Sequence, residues 1–163
     1  GGSLRLFLKS SNNREIMINE NVEKLLKKER DYGLQEISTY LKFQNNVKNS
    51  KKNIQEFFIK AKEEEKQIVC YGAAAKGNTV LNYCKISKNN INYVVDISPH
   101  KQGKFMPGTH IPIFSPEKIK ETKPDYVVIL AWNLKDEIVQ QMNFINDWGG
   151  KFVVLIPEVK ILN

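Results

Sequence analysis

The second half of this 163-residue chain is predicted to fold as an α/β domain built on a parallel sheet. Two observations predict this fold class. After residue 67, short and almost wholly apolar segments alternate with helical ones, and a turn of small residues directly follows the first apolar segment. Strands that are apolar on both faces are typical of parallel sheets covered by helices on each side.

Four strands and three helices are expected in residues 67–163. The strands are predicted at 67–71, 91–96, 125–131 and 151–156, and the helices at 78–84, 116–122 and 135–148. Helix punctuation agrees, because Ser115 precedes a proline at the first helical position and Gly149-Gly150 ends the last helix. With right-handed crossovers the strand order is 2-1-3-4, which predicts a small Rossmann-like domain.

The first 66 residues follow a different pattern. Leu4, Leu6 and Leu8 alternate with other side chains and predict a strand within residues 1–9, which has no obvious partner in this chain. Apolar residues at helical spacing predict a short helix over 19–32 and a long one over 35–66. We therefore divide the chain into a strand over 1–9, a helical connector over 10–66 and the α/β domain over 67–163.

Composition excludes several classes of function. The net charge is +7, but the excess of lysine and arginine is spread almost evenly along the chain, so no nucleic-acid partner is predicted. The sequence contains neither a signal-peptide pattern nor an apolar run of about 18 residues, so we expect a cytoplasmic protein without a membrane partner. Cys70 and Cys84 lack metal-ligand spacing and are expected to be buried structural thiols, and no bound metal is predicted.

The turn after the first strand is the strongest candidate for a binding site. Unpaired N–H groups at a helix N-terminus attract anions, and small residues let a phosphate oxygen approach them. Gly72 and Gly77 have the outer spacing of a dinucleotide-binding loop with Ala74 in its middle position, while Asn78 stands where a P-loop has its lysine, so an ATPase or GTPase is not expected. The alternative is a turn whose small residues serve only packing. The phosphate-binding candidates are Gly72, Ala73, Ala74, Ala75, Lys76, Gly77, Asn78 and Thr79.

Further candidates follow the second and third strands. Trp132 and Asn133 offer a stacking plane and a hydrogen-bonding amide at the expected switch point of the sheet, although Trp132 can also be read as a cap over the sheet edge. Asp96 ends the second strand where an acid often binds a ribose hydroxyl, and its alternative role is a turn cap. His100 and Lys101 lie in the long loop that follows and could meet a diphosphate. No group of residues has the spacing of a catalytic site.

Several blocks of this chain, in the same order, resemble the C-terminal domain of the sugar C-methyltransferases of deoxysugar biosynthesis. These blocks are residues 71–79, 82–84, 95–103, 107–113 and 132–138. Residues 1–5 similarly resemble the end of the methyltransferase domain in that family, which would make the strand over 1–9 a remnant of a preceding domain.

The resemblance implies a partner, cofactors and a division of labour. Members of the family have a zinc-binding module, a central S-adenosylmethionine-dependent domain and this Rossmann-like domain, and the nucleotide-linked keto-sugar binds between the last two. Zinc, S-adenosylmethionine and all catalytic residues are then expected outside this chain, and the missing N-terminal and central domains are its partners. The expected task here is to hold the nucleotide diphosphate, with Ser98 as a further candidate. A coenzyme A or nucleotide-binding regulatory module, or an interaction domain, are the alternatives.

Overall fold

The structure, a computed structural model, describes residues 4–162 and contains two compact units, Gly1–Val47 and Lys48–Asn163. Helix α1 (Asn21–Tyr32) lies in the first unit. Gly33 ends it with a left-handed backbone, φ +80°, and donates its N–H to the Arg30 carbonyl. Helix α2 spans Ile37–Glu63, so both helices predicted in the first 66 residues are present with slightly narrower bounds.

The strand predicted over residues 1–9 is not formed by residues 4–9, which have no regular secondary structure. Residues 1–3 lie outside the described part of the chain. Leu4, Leu6 and Leu8 are exposed, and no strand among the described residues pairs with this segment. An alternating apolar pattern alone was therefore not enough to predict a strand here, because a strand also needs a neighbour to satisfy its backbone hydrogen bonds.

The second unit contains one six-stranded sheet of order β3-β2-β1-β4-β5-β6. Its strands are β1 (Ile68–Tyr71), β2 (Val94–Val95), β3 (Ile113–Phe114), β4 (Tyr126–Ile129), β5 (Lys151–Val154) and β6 (Lys160–Leu162). The pairings are parallel except for β5 with β6. The four predicted strands are present in their predicted relative order. The edge strands β3 and β6 were not predicted, because pairing with a neighbouring strand defines them and their own residues show no strand pattern.

The helices of this unit are α3 (Ala75–Cys84), α4 (Lys118–Thr122) and α5 (Lys135–Gln141). Helix α3 begins three residues before the predicted start, so the turn after β1 is shorter than expected. The predicted helix over 135–148 is correct only in part, because a 3₁₀ helix over Asn143–Trp148 follows α5. A second 3₁₀ turn, Trp132–Leu134, directly precedes α5.

Two apolar clusters cover the two faces of the sheet. On one face Phe58 of α2 and Leu81 of α3 pack with alternate strand residues such as Val128, and on the other Ile138 of α5 packs with Val127 and its neighbours. Cys70 and Cys84 are buried free thiols, as predicted, and burial raises the pKa of Cys70 far above its ordinary value. Successive residues of each strand face one cluster and then the other, so the strands appear in the sequence as continuous apolar runs.

None of the helices in the part of the chain that the structure describes combines the length and apolar character needed to span a membrane.

An ion pair joins the beginnings of β1 and β4 and gives the first prediction. The Asp125 carboxylate accepts hydrogen bonds from the Gln67 N–H at 2.8 Å and from Lys66 Nζ at 3.0 Å. Burial opposes ionisation of Asp125, but these hydrogen bonds outweigh it and lower its pKa below the ordinary value. The ionised carboxylate therefore contributes stability above its unfolded-state pKa and loses that contribution as pH falls through the lower folded-state pKa.

We expect Asp125→Asn to lower the free energy of unfolding by about 1 kcal/mol at pH 7, because the group is only partly buried. Urea unfolding at pH 7 and at pH 3 measures this difference, which should shrink at the lower pH. Asp147→Asn is the matched control, because Asp147 is exposed and forms no ion pair with another described residue. An equal loss of stability in both variants at pH 7 would contradict the assigned role.

Candidate functional site

The candidate site lies at the carboxyl ends of β1 and β4. The chain passes from β1 through α3 to β2 on one side of β1, and β4 pairs with β1 on its other side. The order of the strands therefore reverses direction at β1. Such a switch point creates a crevice outside the carboxyl ends of the strands, where open α/β sheets bind their ligands. The structure thus brings the turn after β1 to the segment after β4, as the sequence predicted.

Gly72 makes the turn out of β1. Its backbone is left-handed, with φ +91°, and its N–H donates to the Val95 carbonyl at 2.7 Å. A Cβ atom there would make an ordinary contact with the Ala131 side chain at 3.4 Å, so the left-handed backbone angle, and not a lack of room, favours glycine. The turn therefore directs the chain across the end of the sheet and into α3 within three residues.

The N-terminus of α3 has free hydrogen-bond donors. Ala74 occupies the N-cap position and has no side chain that can accept a hydrogen bond. The helix itself supplies no acceptor for the N–H groups of Ala75, Lys76 and Gly77, and no capping side chain in residues 4–162 replaces one. These three amides therefore have no acceptor among the described residues, and the helix dipole favours an anion there.

Gly77 lets α3 approach the sheet. A Cβ atom at this position would lie 2.5 Å from the Cβ atom of Leu130, a distance that real Cβ atoms essentially never show. This is the packing function of the third glycine in a dinucleotide-binding loop. Packing therefore accounts for Gly77, and Ala73 is also packed against the core, whereas Ala74 and Ala75 are half-exposed and exposed and belong to neither apolar cluster.

Lys76 joins the two sides of the crevice. Its ammonium group donates a hydrogen bond to Asn133 Oδ1 and lies 4.8 Å from the centre of the Trp132 ring. Both partners are neutral, and no carboxylate of the described residues lies within 4.0 Å of the Lys76 ammonium. The positive charge of Lys76 is therefore not cancelled locally and adds to the field of the free amides.

Asp96 is buried at the centre of a hydrogen-bond network. Its carboxylate accepts from the N–H groups of Ala73 and Ser98, at 2.8 and 2.9 Å, and from Lys101 Nζ at 3.0 Å. Only 8% of its side chain is exposed. The structure thus shows the turn cap that the sequence left open as the alternative to ribose binding.

Three predicted residues lie apart from this arrangement. The Thr79 hydroxyl donates to the Ala75 carbonyl, and the Asn78 side chain accepts from Asn82, so both are engaged along α3. His100 is exposed and makes no hydrogen bond to another described residue. The structure therefore gathers the residues from Gly72 to Gly77 with Asp96, Ser98, Lys101, Trp132 and Asn133.

Two residues of the site were not found from the sequence. Gln102 donates to the Asp96 carbonyl at 2.9 Å and helps to fix the loop after β2. Tyr71 ends β1, and burial together with the charges of Asp96, Glu137 and Glu117 raises the pKa of its hydroxyl. Nothing in the pattern could have revealed Gln102, whereas the position of Tyr71 at the end of a predicted strand was a usable signal.

Within residues 4–162, no group of three or more histidine, cysteine, aspartate or glutamate side chains is placed to hold an ion.

Comparison with known proteins identifies relatives of this chain. A family model described as C-methyltransferase C-terminal domain matches residues 1–157. The C-methyltransferase NovU of Streptomyces niveus is 33% identical over 142 residues, which are 87% of this chain and 34% of that protein. The chain thus spans about a third of this relative's length. These matches confirm the family resemblance found in the sequence.

A solved structure gives a more distant comparison. UDP-D-quinovosamine 4-dehydrogenase from Vibrio fischeri is 17% identical, with a TM-score of 0.44 over 60% of this chain and 93% of that chain.

The contact at Gly77 gives the second prediction. We expect Gly77→Ala to lower the free energy of unfolding by about 1 to 3 kcal/mol, because the added methyl group forces α3 away from Leu130. The higher helix propensity of alanine, about 1 kcal/mol, offsets only part of this cost. Urea unfolding followed by circular dichroism measures the change. Thr79→Ala, at an exposed position of the same helix, is the control, and a Gly77→Ala protein as stable as the parent would contradict this packing.

Proposed function

The chain belongs to the family of C-methyltransferase C-terminal domains, and we propose that it holds the diphosphate of a nucleotide-linked deoxysugar. In this proposal a separate domain of the full-length protein transfers the methyl group to the sugar. Residues 67–163 form the binding domain, and residues 10–66 connect it to the preceding domain.

One observation carries the proposal. Three free amides at the N-terminus of α3 and the uncancelled charge of Lys76 lie together at the switch point of the sheet. A diphosphate carries negative charge on oxygens that accept several hydrogen bonds at once, which suits converging backbone donors. Lys76 can exchange its neutral partner Asn133 for a phosphate oxygen without losing an ion pair.

The network around Asp96 supports the same interpretation. Lys101 donates both to Asp96 and to the Ala73 carbonyl, at 3.0 and 3.1 Å, and so holds the loop after β2 against the turn after β1. Because Asp96 also binds the Ala73 N–H, this residue is fixed through both its donor and its acceptor. A turn held in this way presents the α3 amides in a fixed direction, which reduces the entropy lost on binding.

The chemistry of methyl transfer is assigned to other parts of the protein. In the full-length enzyme, S-adenosylmethionine would supply the methyl group, and it and zinc would bind outside this chain. Among the described residues, no group of three or more histidine, cysteine, aspartate or glutamate side chains is placed to hold a metal ion. In this proposal the contribution of the domain is to bind and orient the substrate, and we expect no transferase activity from it alone.

Calorimetric titration of the 163-residue chain gives the third prediction. We expect a thymidine- or uridine-diphosphate sugar to bind more tightly than coenzyme A or NAD, whose diphosphates can meet the same amides but whose other groups differ. Lys76→Ala should weaken binding about tenfold or more, because a hydrogen bond to a charged group is lost.

Lys151→Ala is the matched control. It removes the same charge at the amino end of β5, whereas the candidate site lies at the carboxyl ends of the strands. Equal binding of coenzyme A or NAD would favour a general nucleotide-binding module over this proposal. Unchanged affinity in Lys76→Ala would remove its central residue.

A further inference from the structure

A cleft of about 250 Å³ lies at the amino ends of β1 and β2, whereas the candidate site lies at the carboxyl ends of the strands. The C-terminal part of α2 and the residues directly after it form one wall, and residues 88–92, which precede β2, form the other. Ile68, at the start of β1, also lines it. The cleft belongs entirely to the second unit and shares no residue with the candidate site.

Backbone hydrogen bonds hold both walls of this cleft in place. After the end of α2, Glu65 has a left-handed backbone, φ +55°, and the Lys66 N–H donates to the Ala61 carbonyl at 2.8 Å, as in a Schellman motif. In the other wall the Asn92 N–H donates to the Ile68 carbonyl at 3.0 Å. Walls anchored in this way lose little entropy when a ligand binds between them.

The surface of the cleft combines buried apolar side chains with hydrogen-bond donors. Phe58, Ile68 and Ile91 belong to the core of the domain and provide the apolar part. The Asn90 side-chain oxygen accepts from the Ser87 N–H at 3.2 Å, so its NH₂ group is left to donate elsewhere. The other donors are lysines and asparagines, namely Lys62, Lys66, Lys88, Asn89 and Asn92.

The charges that line the cleft leave an excess of one positive charge. Lys66 is paired with Asp125 at 3.0 Å, whereas Lys62 and Lys88 have no carboxylate of a described residue within 4.0 Å. Among the described residues that line the cleft, Glu65 alone is acidic, so two unpaired ammonium groups stand against one carboxylate. This balance favours a ligand with a single negative charge, such as a carboxylate, over a phosphate monoester with nearly two.

The volume of the cleft and its apolar side chains set a second requirement. Pockets for whole drug-sized ligands have roughly 300–1,000 Å³, so a cleft of about 250 Å³ suits a single ring or a short chain. Contact of an apolar group with Phe58, Ile68 and Ile91 removes apolar surface from water, which is favourable. An inorganic ion would gain nothing from these side chains.

We propose that this cleft is a second ligand site, for a small organic carboxylate with an apolar body. Lys62 and Lys88 bind the carboxylate, and the body of the ligand lies against Phe58, Ile68 and Ile91. The inference goes beyond the proposed function and does not rest on it, because the cleft shares no residue with the phosphate site.

Titration of the 163-residue chain with benzoate, followed through the amide resonances in two-dimensional NMR spectra, tests the proposal. We expect changes centred on residues 62–66 and 88–92, with a dissociation constant of about 1 mM for so small a ligand. Benzylamine has the same ring with the opposite charge, and inorganic phosphate lacks the ring. Neither should produce these changes.

The double variant Lys62→Gln/Lys88→Gln should bind benzoate about tenfold more weakly at low salt, because each exposed ammonium group contributes about threefold. Lys60→Gln/Lys85→Gln is the matched control, since it removes the same charge from α2 and from the end of α3 at positions that do not line the cleft. Asn92→Trp keeps the charges but fills the cleft, and should abolish benzoate binding.

Three results would each overturn the inference. They are a lack of benzoate binding by the parent, an equal weakening in the two double variants, and the same resonance changes with inorganic phosphate, which would indicate a surface that attracts any anion. The Lys62→Gln/Lys88→Gln protein should still bind the nucleotide-diphosphate sugar as the parent does. Failure of the proposed function would instead appear as sugar-nucleotide binding that is absent or independent of Lys76, with benzoate binding unaffected.

Discussion

The close contact between α3 and β4 at Gly77 is the constraint on which the candidate site depends. Because residue 77 has no side chain, the first turn of α3 can lie directly against Leu130. This places the free amides of the helix beside the segment that follows β4, and Lys76 reaches both Trp132 and Asn133 from there. A bulkier residue at this point would separate the donors of α3 from the other side of the crevice.

The loop after β2 depends on a second constraint, the buried carboxylate of Asp96. A buried carboxylate is costly unless it is paired, and here it accepts hydrogen bonds from two backbone amides and one ammonium group. Two of these donors, Ser98 and Lys101, belong to the loop, and the third, Ala73, belongs to the turn after β1. Satisfying one charge thus connects two segments that are distant in sequence.

The sequence allowed the central four strands and their order to be predicted, because each is a buried apolar run between clear turn signals. The edge strands were missed, since pairing with a neighbour defines β3 and β6 more than their own composition does. At the site, the position of Lys76 beside a helix start could be predicted, although α3 begins three residues earlier than expected and includes Lys76. The role of Asp96 could not be decided from the sequence, because an aspartate at the end of a strand can be either a turn cap or a residue that binds a ribose hydroxyl.

The distribution of charge at this edge of the sheet explains how an acidic residue can lie within an anion-binding site. The charge of Asp96 is balanced by Lys101 and directed towards its backbone donors, so it repels an incoming phosphate only weakly. Lys76 has only neutral neighbours, and its charge therefore remains available. Lys101 thus stabilises the fold, while Lys76 remains available to a ligand. Both lysines lie close to the same turn, but only Lys101 has a buried carboxylate within hydrogen-bond distance. This difference explains why the charge of Lys101 is paired and that of Lys76 is not.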